Sequence, residues 1–244
     1  MSKLDTLNLP TPDYRSEDGT VYLYRGDCLD ILPEIPDGSI DAVVTDPPYA
    51  IPTQVASGRT VTRNVGDLSI IESAFRQYAV EWKRAVGESG RIFIFCDGAS
   101  YPVIYRAAYC RFNLASMVWD KGKIGMGREF RKRHELIVHG WGAETPVVDS
   151  FGVGYADIIE TKPVPPASRS HPAEKPVDLL LSMLRVCGRI VADPFCGSAS
   201  AGIACVRTCR EFIGCEISTE YFDIAVKRIE QAFADQALFA GVET

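Results

Sequence analysis

The chain has 244 residues, 46% of them hydrophobic, and a formal net charge of −6. That size and apolar share support one large core or two small ones, and the acidic balance argues against a general polyanion binder, which would be basic. No run of about 18 uncharged apolar residues occurs, and Met1-Ser2-Lys3-Leu4-Asp5 lacks the apolar core of a signal peptide, so a cytoplasmic protein without membrane association is expected.

Residues 1–20 are polar and contain prolines, and they read as a loosely packed arm. Val21–Tyr24 reads as a strand that leads into Arg25-Gly26-Asp27-Cys28. A turn region over 32–38 precedes a strand over 40–45, which runs directly into Asp46-Pro47-Pro48-Tyr49. Residues 50–68 are rich in Ser, Thr, Gly and Arg and read as a loop. From 71 to 86 the set Ile71, Phe75, Tyr78, Trp82 and Val86 recurs at helical spacing, with Gly87 as its stop. A buried strand over 91–95 and a helix over 101–110 follow. Two further strands, 114–119 and 136–139, flank a basic, glycine-rich loop.

Residues 143–170 show no clear periodicity and read as an elaborated loop or a small recognition insert. Beyond them, Pro176 opens a helix lined by Val177, Leu180, Leu181 and Leu184. A strand over 189–192 turns through Asp193-Pro194-Phe195-Cys196-Gly197-Ser198 into a helix over 198–209. A strand over 212–215 ends in Glu216, and Phe222, Ala225, Val226, Ile229 and Phe233 line a last helix. Alternating strands and helices predict an α/β fold with a mostly parallel sheet covered on both faces. The eight cysteines contain no CxxC pair and the three histidines no zinc spacing, so no metal is expected and the thiols read as reduced core groups.

Three segments carry chemistry. Asp46-Pro47-Pro48-Tyr49 leaves the carboxyl end of a strand, where open α/β sheets bind ligands. Its prolines fix φ and donate no hydrogen bonds, so a carboxylate, free carbonyls and a stacking ring face a ligand together. That set suits a planar ring bearing an amine, such as a nucleobase. The turn 193–198 carries small residues, which let a ligand approach backbone N–H groups. It matches neither GxGxxG nor a phosphate-binding P-loop, so a pyrophosphate cofactor is disfavoured. Glu216 stands about twenty residues on, either as an exposed strand-end acid or as a partner for ribose hydroxyls. The third segment, 121–134, gathers positive charge around glycines and, from charge alone, reads as a solvated loop.

Taken with His171-Pro172-Ala173-Glu174-Lys175-Pro176, the tetrapeptide and the 193–198 turn resemble the amino-group DNA methyltransferases that use S-adenosylmethionine. The resemblance spans nearly all of residues 21–234 and, with the tetrapeptide ahead of the cofactor turn, is to their β class. It implies a seven-stranded Rossmann-like sheet in circularly permuted order. Residues 21–142 and 171–235 would form the catalytic domain, and 143–170 the target-recognition insert. It also implies roles. Asp193, Phe195, Cys196, Gly197 and Ser198 would hold the methionine part of the cofactor, and Glu216 its ribose. Asp27 would meet the adenine amine with Cys28 beside it, and His171 and Lys175 would close over the methionine end.

Asp46 would also face the cofactor, and with the Pro47 carbonyl it would accept the hydrogens of the target amine while Pro48 stiffens the hook and Tyr49 stacks on a flipped base. Cys196 reads as a lining residue, since the chain has no Pro-Cys pair of the kind used by ring-carbon methylases. Arg59 and Arg63 would close over the base, and Lys121, Lys123, Arg128, Arg131, Lys132 and Arg133 would contact phosphates. The expected reaction is N6-adenine methylation of DNA in a restriction-modification setting, with cytosine-N4 as the alternative. Methylation of RNA or of a protein amide, or nucleic-acid binding without catalysis, are the rivals. The short insert suits a short site, relaxed specificity, or a second subunit in a homodimer.

Overall fold

In the computed structural model, which describes residues 2–48, 66–125, 129–146, 154–170 and 173–240, the apolar runs align in one sheet. Among these residues its strands are β1 (Tyr14–Arg15), β2 (Val21–Arg25), β3 (Ala42–Thr45), β4 (Arg91–Cys96), β5 (Asn113–Asp120), β6 (His134–Trp141), β7 (Ile158–Glu160), β8 (Ile190–Asp193) and β9 (Glu211–Glu216). The order across the sheet is β1-β2-β9-β8-β3-β4-β6-β5-β7. The run from β2 to β4 is parallel throughout, whereas β6 is antiparallel to both β4 and β5. The α/β fold and mostly parallel sheet are as expected, with the short β1 and β7 added at the edges.

Central parallel strands are covered on both faces and so carry continuous apolar runs. All six residues of β4 are buried, as are all four of β3 and of β8. Alternation along β4 divides the core. Ile92 and Ile94 face one layer with Phe75 and Trp82, while Phe93 and Phe95 face the other with Leu180, Met183 and Ile203. The helices α1 (Cys28–Ile31), α2 (Gly66–Val86) and α3 (Tyr101–Tyr109) belong to the first layer. The second comprises α4 (Val177–Leu184), α5 (Ser200–Arg207) and α6 (Thr219–Ala240). On α2, Trp82 is fully buried, stacked on Tyr78 with ring centroids 5.7 Å apart. Gly87 ends that helix at φ +63°, its N–H bonding the Lys83 carbonyl at 2.9 Å.

The site follows from the connections. From β8 the chain passes through α5 to β9 on one face, and from β3 it passes through α2 to β4 on the other. The two paths diverge between β8 and β3, opening a crevice at their adjacent carboxyl ends, where such sheets bind ligands.

Two expectations need revision. The N-terminal segment is not loosely packed: Leu4 is fully buried, and the backbone N–H groups of Lys3 and Leu4 each donate to the buried Glu211 carboxylate at 2.8 Å. A buried carboxylate must collect donors, and it recruits the chain end to do so. Residues 143–170 are not without regular structure either. Within them β7 pairs in parallel with β5, and the Trp119 indole donates to the Thr161 carbonyl at 2.7 Å. A three-residue edge strand is too short to leave a period in the sequence.

Candidate active site

Asp46 leaves β3 and Asp193 ends β8, on neighbouring strands. The Thr45 hydroxyl donates to Asp193 Oδ1 at 2.7 Å, and the Phe195 N–H donates to the same oxygen at 3.0 Å. Asp193 is only 7% exposed, and burial pushes its carboxyl up to about 7 despite these two donors. The turn then bends through Gly197 at φ 51° and Ala199 at φ 57°. Glycine adopts that conformation freely, while a left-handed alanine persists only where its surroundings enforce it.

Glu216 receives the turn. Its Oε2 accepts from Gly197 N–H at 2.9 Å, and its Oε1 accepts from Ser218 N–H at 2.8 Å. Gly26 N–H donates to the Glu216 carbonyl at 3.0 Å, which brings Asp27 and Cys28 beside the same strand end. Asp27 caps α1 by accepting from Leu29 N–H at 2.9 Å. Burial raises the Cys28 thiol to about 12 and holds Cys196 well above its usual range, so both are packing groups without thiolate character. The Phe195 ring meets Tyr78 edge-on at 5.2 Å.

The crevice has a cavity volume of about 50 Å³ and is lined by residues that include Asp46, Phe95, Lys175, Asp193, Phe195 and Gly197. Lys175 donates to Asp46 Oδ2, lies 3.3 Å from Glu135 Oε2, and sits 4.9 Å over the Phe95 ring. Lys121 in turn binds Glu135 Oε1 at 2.5 Å. Burial raises the Asp46 carboxyl and outweighs the attraction of Lys175. At Glu135 burial also pushes upward, but Lys175 and Lys121 together outweigh it and hold that carboxyl low. A second pair, Arg228 with Glu174 at 2.6 Å, fastens the segment before α4 to the turn, since Arg228 also donates to the Ser198 carbonyl at 2.6 Å.

The structure thus brings Asp46, Lys175, Asp193, Phe195, Cys196, Gly197 and Ser198 into one crevice, with Glu216 bonded to its wall. Pro47 is buried behind Asp46 and Pro48 is exposed. Tyr49, Arg59, Arg63, Arg128 and His171 lie outside the described residues. In the hairpin between β5 and β6, Lys121 and Arg133 are tied to Glu135 and Asp120, and Arg131 donates to the Gly125 carbonyl at 2.6 Å. Among the described residues Lys123 and Lys132 form no ion pair, and Phe130 beside them is 96% exposed.

Thr45, Glu135, Glu174 and Arg228 were not anticipated. Glu135 had a readable signal. A hairpin-linked strand runs antiparallel, so its first residues lie at the carboxyl ends of the parallel strands. Arg228 had none, being one charged residue on a long helix. Among the described residues no helix is long and apolar enough to cross a membrane, and no cluster of metal-binding side chains is present.

A family model described as DNA methylase matches residues 40–227. The type II methyltransferase M.HinfI of Haemophilus influenzae is 24% identical over 254 residues, covering 86% of this chain and 68% of that protein. Among solved structures, the M1.HpyAVI–SAM complex aligns with a TM-score of 0.67 at 23% identity, covering 86% of this chain and 98% of that one. The cytosine-N4-specific PvuII DNA methyltransferase aligns with a TM-score of 0.71 at 17% identity, covering 93% and 95%. At such identities the structural likenesses speak for the fold. The family match, by contrast, takes in Asp46, Lys175, the 193–198 turn and Glu216 within three quarters of the chain, and the chain belongs to the N6/N4 family of DNA methylases.

Proposed function

We propose that this DNA methyltransferase methylates the N6 amino group of adenine in DNA, with S-adenosylmethionine as the methyl donor. The observation that carries the reading is that Asp46 and the 193–198 turn line one crevice at the divergence of the sheet. The residues there fit the cofactor. Gly197 and Ser198 leave room for its methionine part, and Asp46, Asp193 and Glu216 give the crevice an excess of acid that suits a cationic sulfonium. Each Glu216 oxygen bonds one backbone N–H and keeps a lone pair for a ribose hydroxyl. Asp27 at the neighbouring strand end serves the cofactor's adenine. The bound cofactor supplies an electrophilic methyl group.

The remaining work falls to the chain. An exocyclic amine is a weak nucleophile because its lone pair is delocalised into the ring. Asp46 and the Pro47 carbonyl accept its two hydrogens, which favours a pyramidal nitrogen with a localised pair. That pair would take up the methyl group the cofactor supplies, and the surplus proton on nitrogen would pass to the Asp46 carboxylate or to water. Catalysis by positioning and electrostatics suffices, and no covalent enzyme intermediate forms. The β5–β6 hairpin, with Lys123, Lys132 and the exposed Phe130, faces the DNA backbone. Residues 143–170 read the target, with a second subunit to extend a short site.

Adenine is favoured by Asp at the head of the tetrapeptide. Cytosine-N4 is the second reading, favoured by the fold's likeness to the PvuII enzyme. Incubation with labelled cofactor and unmethylated DNA, followed by mass analysis of nucleosides, separates the two. N6-methyladenine is expected, N4-methylcytosine would replace the reading, and label in RNA or protein alone would overturn it. Asp46→Ala is expected to abolish transfer while sparing cofactor binding.

A further inference from the structure

The ammonium of Lys175 donates to Asp46 Oδ2 and to the Ala173 carbonyl at 3.5 Å, and Glu135 Oε2, buried and accepting no hydrogen bond among the described residues, lies 3.3 Å from it. The face of the Phe95 ring closes a further side at 4.9 Å. A side chain so surrounded, 9% exposed, is held in a built position. The four charges Lys121, Glu135, Lys175 and Asp46 alternate in sign along one chain of contacts. Each comes from a different segment: the end of β5, the start of β6, the approach to α4 and the end of β3.

We propose that Lys175 and Glu135 are a positioning pair for Asp46, Lys175 fixing the orientation and ionisation of the reacting carboxylate and Glu135 setting how much of the lysine's charge reaches it. The proposal rests on the reading of Asp46 as acceptor of the amine's hydrogens, for which the carboxylate must be ionised. Removing the Glu135 charge frees more of the Lys175 charge to act on Asp46 and deletes a like charge beside it, so Asp46 ionises more easily. Without Lys175, two poorly solvated carboxylates face each other, and Asp46 ionises with difficulty. Among the described residues, further groups facing Asp46 include Lys121 beyond Glu135, Asp193 from β8 and Cys96 from β4. All three are common to both variants.

The test is the single-turnover methylation rate against pH for the native protein, Glu135→Gln and Lys175→Met, with cofactor affinity measured alongside. The acid limb is expected to move down in pH for Glu135→Gln and up for Lys175→Met, by roughly 1–3 units. Coincident limbs, or limbs moving the same way, would overturn the pairing. So would weakened cofactor binding in Lys175→Met with an unmoved limb, which would assign the lysine to the cofactor. Glu135→Gln preserves shape and keeps one acceptor oxygen, so its downward shift decides the matter if Lys175→Met does not fold. Failure of the underlying reading looks different: Asp46→Asn would then turn over like the native protein.

Discussion

Asp193 shows what burial does to a single acid. Its carboxyl is raised to about 7 by burial, against about 3.9 in an unfolded chain. The folded protein therefore keeps a proton that the unfolded chain releases as pH rises from about 4, so stability falls across the window from about 4 to about 7 and levels off above it. The full difference is on the order of 4 kcal/mol. Melting temperatures of cofactor-free protein between pH 5 and 8 should fall, and Asp193→Asn should fall less. Comparing the two cancels the opposite contribution of His139, which burial lowers to about 4. Arg228 offers a second test at this scale, since Glu174 beside it has a side chain only 6% exposed. Arg228→Met takes the cation from that carboxylate, leaving it the Ser170 N–H at 2.7 Å, and should cost about 3–5 kcal/mol in urea unfolding.

At the level of elements, α2 shares a core cluster with Val43 of the tetrapeptide's strand through Trp82, which packs against Phe75 and Tyr78. Trp82→Ala should cost about 3–5 kcal/mol of stability, read from denaturant midpoints. The β5–β6 hairpin poses a different question, because its basic residues divide by partner. Lys121 and Arg133 hold the hairpin through ion pairs, whereas Lys123 and Lys132 among the described residues are unpaired. Lys132→Ala should therefore weaken DNA binding and reduce the slope of log affinity against log salt by about 1. Stability should stay within about 0.5 kcal/mol of native. An unchanged salt slope would remove the hairpin from the interface.

On the scale of the whole molecule, one buried acid ties the N-terminal segment to the start of β9. Glu211 is 1% exposed and bonds the N–H groups of Lys3 and Leu4 as well as Arg189, at 2.7–2.9 Å. Glu211→Ala leaves those donors without an acceptor and removes the seat of Leu4. A loss of about 1–3 kcal/mol per unsatisfied group is expected, with earlier amide exchange at the N-terminal segment.

Much of this protein could be read before any coordinates. Strand and helix order, the two-sided core and the tetrapeptide, the 193–198 turn and Glu216 all have local signatures: apolar periodicity, a stop glycine, small residues at a strand-to-helix turn, an acid at a strand end. Side-chain period and backbone freedom are properties of neighbouring residues, so a linear text holds them. Edge strands of two and three residues, the anchored N-terminus and the Arg228–Glu174 tie are different. They pair residues up to about two hundred positions apart, as Leu4 and Glu211 do at 2.8 Å. The same holds for Lys175, which lies 129 positions from Asp46. Reading alone set that lysine over the cofactor's methionine end, and the folded sheet sets Asp46, Glu135 and Phe95 around it. Sequence determined which groups the chain owns and on which elements they ride. Only the tertiary structure decided which charges face one another in poorly solvated space, where the cost of an unpaired ion makes each partner count.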